Sequence, residues 1–151
     1  MRALAVVLFL SVMACRPREL DDADRRAIEA VLADQAVAWN SGDLAGFMAA
    51  YEQSEALVFT SGAEVRRGWQ ETHDRYVARY GGPAGKSEMG KLVFEVLEIR
   101  GLGEGGAIVL GTWTLTETPK AGTGVFSLGM LQTSEGWRIV HDHTSARAST
   151  E

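Results

Sequence analysis

Cysteine is almost absent from this sequence, since Cys15 is the only one in 151 residues. A single chain can therefore form no internal disulfide, and its fold must rest on the packing of an apolar core. Positive charge is also in the minority: 15 Lys and Arg stand against 20 Asp and Glu, so the formal net charge is −5. Without a basic stripe, nucleic acid is not an expected partner.

Long apolar runs are also scarce, and the one at residues 3–14 is too short to span a bilayer as a helix. Arg2 precedes it and small residues end it, so residues 1–14 are predicted to be a secretory signal peptide. Cys15 follows directly, in an arrangement that resembles a bacterial lipobox. This resemblance implies that Cys15 carries a lipid anchor to the membrane and that residues 15–20 form a short tether.

The alternative to lipidation is plain secretion by cleavage at the same bond, which leaves a free thiol. Both readings place the protein in the bacterial cell envelope, lipid-anchored or secreted on the periplasmic side. Fatty-acid label that persisted on a Cys15→Ala variant would contradict lipidation.

Residues 21–147 have the composition and length of one globular domain, and residues 148–151 form a tail. Helical periodicity predicts three helices, over 21–40, from Asp43 onward and over 69–80. Strand-like patterns follow at 56–61, 64–67, 92–100, 107–118, 124–133 and 137–145, and 81–87 is expected to be a flexible loop. This order predicts an α+β fold with three helices packed on a strongly curved antiparallel sheet, which bends at Gly111 and Gly129.

The last strand contains the densest cluster of titratable groups in an apolar setting. Strict alternation places Trp137, Ile139, His141 and His143 on one face and Arg138, Val140, Asp142 and Thr144 on the other. Asp142 should then share a cavity with the histidines only if a bulge intervenes. The two imidazoles lie about 7 Å apart on a regular strand. They suit a structural role, acid–base catalysis or, together with His73, metal binding. Among these roles metal binding is not the expected one, and no metal or cofactor is predicted.

Several segments of the chain resemble the nuclear transport factor 2-like superfamily, and in particular its polyketide-cyclase-like (SnoaL-like) branch. The segments are 38–44, Phe47, Tyr51, Phe59, 67–69 and 136–145. The resemblance covers 21–147 and implies a cone-shaped, cystatin-like fold with a cavity and a homodimer built through the sheet. Because this fold hosts enzymes as well as non-catalytic modules, the resemblance does not identify a reaction.

The sequence departs from the ketosteroid isomerases of that superfamily. The position similar to their oxyanion-hole tyrosine is Gln35, and their general-base aspartate falls at Thr60 or Phe59. None of these side chains can abstract a proton next to a carbonyl, so ketosteroid isomerisation is not expected.

A conical fold should leave aromatic side chains around a cavity that suits a small, partly apolar ligand. The candidate ligand-binding residues are Gln35, Trp39, Tyr51, Phe59, Tyr76, Trp113 and His143, and the candidate catalytic residues are His141, His143 and Gln35. Three functions remain open at this point: an envelope-anchored binder of a small molecule, a non-catalytic dimerisation or interaction module, and a lyase or isomerase that uses a cavity histidine.

Overall fold

A computed structural model describes residues 20–147. Its first helix, α1 (Asp22–Ser41), has suitable capping residues at both ends. Asp21 caps it, forming a capping box with Asp24, which satisfies backbone N–H groups of the first turn. It ends at Gly42, whose φ of 75° is accessible to glycine at little cost. The stripe of Ile28, Leu32, Gln35 and Trp39 is buried, as the periodicity predicts.

The next elements follow in short succession, and one of them differs from the sequence-based prediction. They are α2 (Leu44–Met48), β1 (Val58–Ser61), β2 (Glu64–Arg67), α3 (Trp69–Tyr80) and α4 (Pro83–Glu88). The prediction of a loop over 81–87 is wrong, because Pro83 stands in the first turn of α4. Proline ends α3, but its fixed φ also suits the start of a new helix.

The sheet contains six strands in the order β2-β1-β6-β5-β4-β3. Its four long strands are β3 (Lys91–Gly101), β4 (Gly106–Thr116), β5 (Gly122–Thr133) and β6 (Gly136–Ala146). All pairs are antiparallel except β1 with β6, which is a parallel pair within the mainly antiparallel sheet that the sequence predicts. No tight hairpin joins these two strands, since α3, α4 and four strands separate them along the chain, and so a parallel pairing is open to them.

The strand register changes at two places, as at β-bulges. One lies between Val96 and Glu98 on β3, where Val96 pairs with Gly111, and the other begins at the pairing of Gly129 with His141. Each glycine therefore lies beside a change of register, where a β-bulge bends the strand and increases the local twist.

Helices cover one face of the sheet, and the core lies between them. β6 is a central strand of the sheet, between β1 and β5. Its Ile139 is fully buried, as are Ile28 of α1 and Met48 of α2. We call the opposite sheet face the outer face; its exposed apolar side chains on β3, β4 and β5 are Val93, Leu97, Ile108, Leu110, Val125 and Leu131.

The predicted signal peptide, Cys15 and the tail at 148–151 lie outside the described residues. Within 20–147, no helix has the length and apolar character needed to cross a membrane.

Candidate functional site

A cavity of about 650 Å3 opens between the helices and the concave face of the sheet. This volume is in the range of small-molecule sites. Its apolar wall consists mainly of rings and aliphatic chains, namely Leu32, Trp39, Phe47, Phe59, Tyr76, Leu92, Phe94, Trp113, Phe126 and Leu128. The rings touch one another edge-on, as with Trp39 and Phe47 at 5.0 Å and Phe94 and Phe126 at 5.4 Å between centroids.

Six of the seven predicted ligand-binding residues line this cavity: Gln35, Trp39, Tyr51, Phe59, Tyr76 and Trp113. α1 supplies Gln35 and Trp39, and the buried amide of Gln35 donates to the carbonyl oxygen of Phe47 at 3.3 Å. The Trp39 indole donates to the carbonyl oxygen of Met89 at 2.9 Å, which fixes its ring in the wall. These rigid groups shape the cavity before any ligand enters it.

The seventh predicted residue, His143, does not line the cavity, and neither does His141. Both are exposed on the outer face. The cause is the bulge in β6: Gly129 pairs with His141 but Met130 pairs with Ile139, so Val140 is an extra residue. It inverts the alternation, and the prediction of histidines directed into the cavity is wrong.

The same bulge directs Asp142 into the cavity wall. Asp142 is 6% exposed, and its Oδ2 accepts a hydrogen bond from the Tyr51 hydroxyl at 2.8 Å. Oδ1 is buried and has no hydrogen-bond partner among residues 20–147. Burial raises the pKa of Asp142 to about 7, although the bond from Tyr51 opposes the rise. The result is a carboxyl group that exchanges a proton near neutral pH inside an aromatic cavity.

Tyr51 and Tyr76 remain neutral beside this carboxyl. Burial raises the pKa of Tyr51 well above its ordinary value, and the charge of Asp142 raises it further. Burial also raises the pKa of Tyr76, and the charge of Asp142 adds to this rise. Both hydroxyls are therefore hydrogen-bond donors in the cavity, not bases.

Basic side chains complete the polar part of the wall: Arg66, Arg75, Arg79 and Lys120. Periodicity did not single them out, because charged residues on a short edge strand, an exposed helix and a turn are typical of a solvated surface. Asp142 was also missed as a site residue, since alternation alone cannot reveal a bulge. Gly129, beside which the register changes, was the sequence feature that indicated a bend at this place.

The remaining histidine, His73, lies on α3. His73 stacks on Trp69 at 4.8 Å and contacts Asp74, away from the cavity wall. Across the part of the chain that the structure describes, no three His, Cys, Asp or Glu side chains are grouped so that they could hold a metal ion.

Comparison with known proteins agrees with this fold. A nuclear transport factor 2-like protein of unknown function from Shewanella oneidensis is 36% identical, with 80% of this chain and 98% of that chain covered and a TM-score of 0.75. A nuclear transport factor 2-like superfamily protein from Salmonella enterica is 19% identical over 85% and 94% of the two chains, with a TM-score of 0.65.

A ketosteroid isomerase-like protein from Erwinia carotovora is 17% identical over 85% and 100% of the two chains, with a TM-score of 0.62, and shares the fold alone. No curated protein matches the sequence. The model of the SnoaL-like domain matches residues 28–149. Because that match spans both the helices and the whole sheet, the chain belongs to the SnoaL-like domain family, within the nuclear transport factor 2-like superfamily.

Proposed function

We propose that this domain binds a small, largely apolar molecule in the cavity, at the bacterial envelope where the sequence predicts a lipid anchor on Cys15. The observation that supports binding is the combination of an aromatic wall with two buried polar atoms, Asp142 Oδ1 and Trp113 Nε1, that have no hydrogen-bond partner within residues 20–147. A buried polar group without a hydrogen bond costs about 1–3 kcal/mol. A ligand that supplied the missing partners would offset that cost.

Compounds with an aromatic body and one or two polar groups should raise the melting temperature. Binding to the folded state alone stabilises it by RT ln(1 + [L]/Kd), or about 2.7 kcal/mol at 100 times Kd. Differential scanning fluorimetry of a compound panel measures this. Ala78→Trp should abolish the shifts, because Ala78 is an exposed residue of the cavity wall where an indole would fill the opening.

Val77→Trp is the matched control, since Val77 is the exposed neighbour of Ala78 on α3 and does not line the cavity. It should leave the shifts unchanged. Shifts that survive in Ala78→Trp, or a panel that produces none in the wild type, would contradict binding in the cavity.

Proton transfer is a second candidate function, and the Asp142–Tyr51 pair favours it over the histidine-based lyase or isomerase. A buried carboxyl with a pKa of about 7 can accept and return a proton at neutral pH. Tyr51 holds Oδ2 and leaves Oδ1 as the oxygen available to a substrate. The Asp142→Asn variant described in the Discussion tests this candidate.

A second copy of the chain is the proposed partner of the outer face, in line with the homodimer that the family resemblance implies. Six exposed apolar side chains on three adjacent strands form a surface suited to burial between two copies. Leu110→Lys, with Leu110 41% exposed in β4, should reduce the mass measured by light scattering from a dimer to a monomer. Val37→Lys on α1 should remain a dimer, and a wild-type monomer at micromolar concentration would exclude the proposal.

A further inference from the structure

The charge on the cavity wall is opposite to the charge of the protein. The chain carries −5, yet the wall contains four basic side chains, Arg66, Arg75, Arg79 and Lys120, and one acidic side chain, Asp142. A concave wall of one sign concentrates ligands of the other sign. The composition of the wall therefore favours an anionic ligand.

The acidic partners of these basic groups do not cancel this preference at the wall. Glu64 contacts Arg66 at 2.7 Å and Arg75 at 3.4 Å, and Glu88 contacts Lys120 at 3.7 Å, but neither glutamate lines the cavity. Arg79 has no ion pair among residues 20–147 and rests over the ring of Tyr80 at 4.9 Å. Because neither glutamate lines the cavity, the basic side chains outnumber the single acid at the wall itself.

Strand register places Arg66 and Asp142 at the same level of the wall. Phe59 of β1 pairs with Arg66 of β2 on one side and with Asp142 of β6 on the other. Directly paired residues share a face of the sheet, and adjacent strands lie about 5 Å apart, so these two backbones are separated by about 10 Å. The Phe59 ring lies between them, with the Arg66 guanidinium 5.4 Å from its centroid.

Arg66 and Asp142 each have a buried polar atom that finds no hydrogen-bond partner in the described part of the chain. In Arg66 this atom is Nε, which is a donor. In Asp142, a residue that is only 6% exposed, the atom is Oδ1. Native proteins leave few buried polar atoms unpaired. A ligand that met both of these atoms would span the Phe59 ring between them.

We propose that the cavity binds a small organic carboxylate that carries a hydroxyl group at its opposite end. The carboxylate contacts Arg66, with Arg79 beside it, the apolar body lies on Phe59, and the hydroxyl meets Asp142. A guanidinium matches the planar, two-oxygen geometry of a carboxylate. A hydroxyl suits Asp142 in either protonation state, because it donates to a carboxylate and accepts from a carboxylic acid. This inference rests on the proposed function of the cavity as a ligand site.

Isothermal titration calorimetry with para-hydroxyphenylpropionate, its neutral amide and phenylpropionate tests both ends. A hydrogen bond to a charged group contributes about 1.5–3 kcal/mol, so the acid should bind the wild type about 10- to 100-fold more tightly than the amide. Arg66→Gln should weaken binding of the acid more than binding of the amide, and so reduce this preference. Phenylpropionate, which lacks the hydroxyl, should bind more weakly than the acid by about fivefold or more.

Arg67→Gln is the matched control, because Arg67 is the exposed neighbour of Arg66 on β2 and does not line the cavity. It should keep the wild-type preference for the acid, and the melting temperatures of the two variants show whether both are folded. Equal affinities of the acid and the amide for the wild type, or a preference in Arg66→Gln as large as in the wild type, would overturn the inference.

Failure of the acid to bind would also overturn the carboxylate inference. The proposed function is judged separately, by the thermal shifts that depend on Ala78. If those shifts persist, the cavity binds a different class of molecule; if they are absent as well, both proposals fail.

Discussion

Asp142→Asn is expected to stabilise the protein at about pH 8 by as much as about 4 kcal/mol, because burying an ionised carboxylate costs free energy that an amide does not incur. The pKa of Asp142 rises from its ordinary 3.8 to about 7 on folding. This rise of about 3 pKa units corresponds to about 4 kcal/mol at 1.36 kcal/mol each. Asparagine has the same shape, and its oxygen can still accept the Tyr51 hydroxyl hydrogen bond.

The sign of the pH dependence follows from the raised pKa. Between 3.8 and about 7 the folded state keeps the Asp142 proton while the unfolded state loses it, so the free energy of unfolding falls as pH rises. The contribution is fully present below about pH 4 and is lost above about pH 7. Asp142→Asn should therefore match the wild type in acid and exceed it above neutral pH.

Urea unfolding at a series of pH values measures this difference. Asp34→Asn is the matched control, since it makes the same chemical change on the exposed side of α1, and should alter stability by less than about 0.5 kcal/mol at each pH. A wild-type protein whose stability does not fall between about pH 4 and pH 7 relative to Asp142→Asn would exclude a carboxyl group buried in this way.

The same variant separates a binding site from a catalytic one. If Asp142 transfers protons, Asp142→Asn should abolish turnover of any substrate while the fold becomes more stable. A gain in stability combined with a loss of activity is typical of a group retained for its chemistry. Turnover that persists in Asp142→Asn would leave the cavity as a binding site only.

Periodicity predicted the architecture well because most of the chain follows regular spacing. The stripe from Ile28 to Trp39, the bounds of α3 and the bending positions at Gly111 and Gly129 could all be identified from the sequence. These features depend on local rules: which residues share a helix face, which end a helix and which permit a bulge.

The candidate site was predicted only in part, because its polar residues depend on a single inserted position. Alternation along β6 is correct as far as Ile139, and the extra residue Val140 then places Asp142 inside and both histidines outside. A shift of one residue inverts every later side chain of a strand. β2 is four residues long, too short for its pattern to show that Arg66 faces the cavity.

Gly124→Ala is expected to destabilise the protein by about 3 kcal/mol or more, since overpacking a closely packed site costs about 1–3 kcal/mol and occasionally more. An added Cβ would overlap the Ser145 carbonyl oxygen of β6 and approach the Trp113 indole to 2.7 Å. The first neighbour is backbone within the sheet and the second is part of the cavity wall. Neither can move without separating β5 from β6 or displacing the indole.

Gly122→Ala is the matched control on the same strand, because the nearest atoms to its added Cβ are 4.0 Å away. It should change the free energy of unfolding by less than about 0.5 kcal/mol. Gly124→Ala should in addition weaken cavity ligands, since glycine at this position lets Trp113 lie against β5 and form the wall. Equal melting temperatures for the two variants would show that β5, β6 and the Trp113 indole are not packed this closely, and the cavity would then have a different shape.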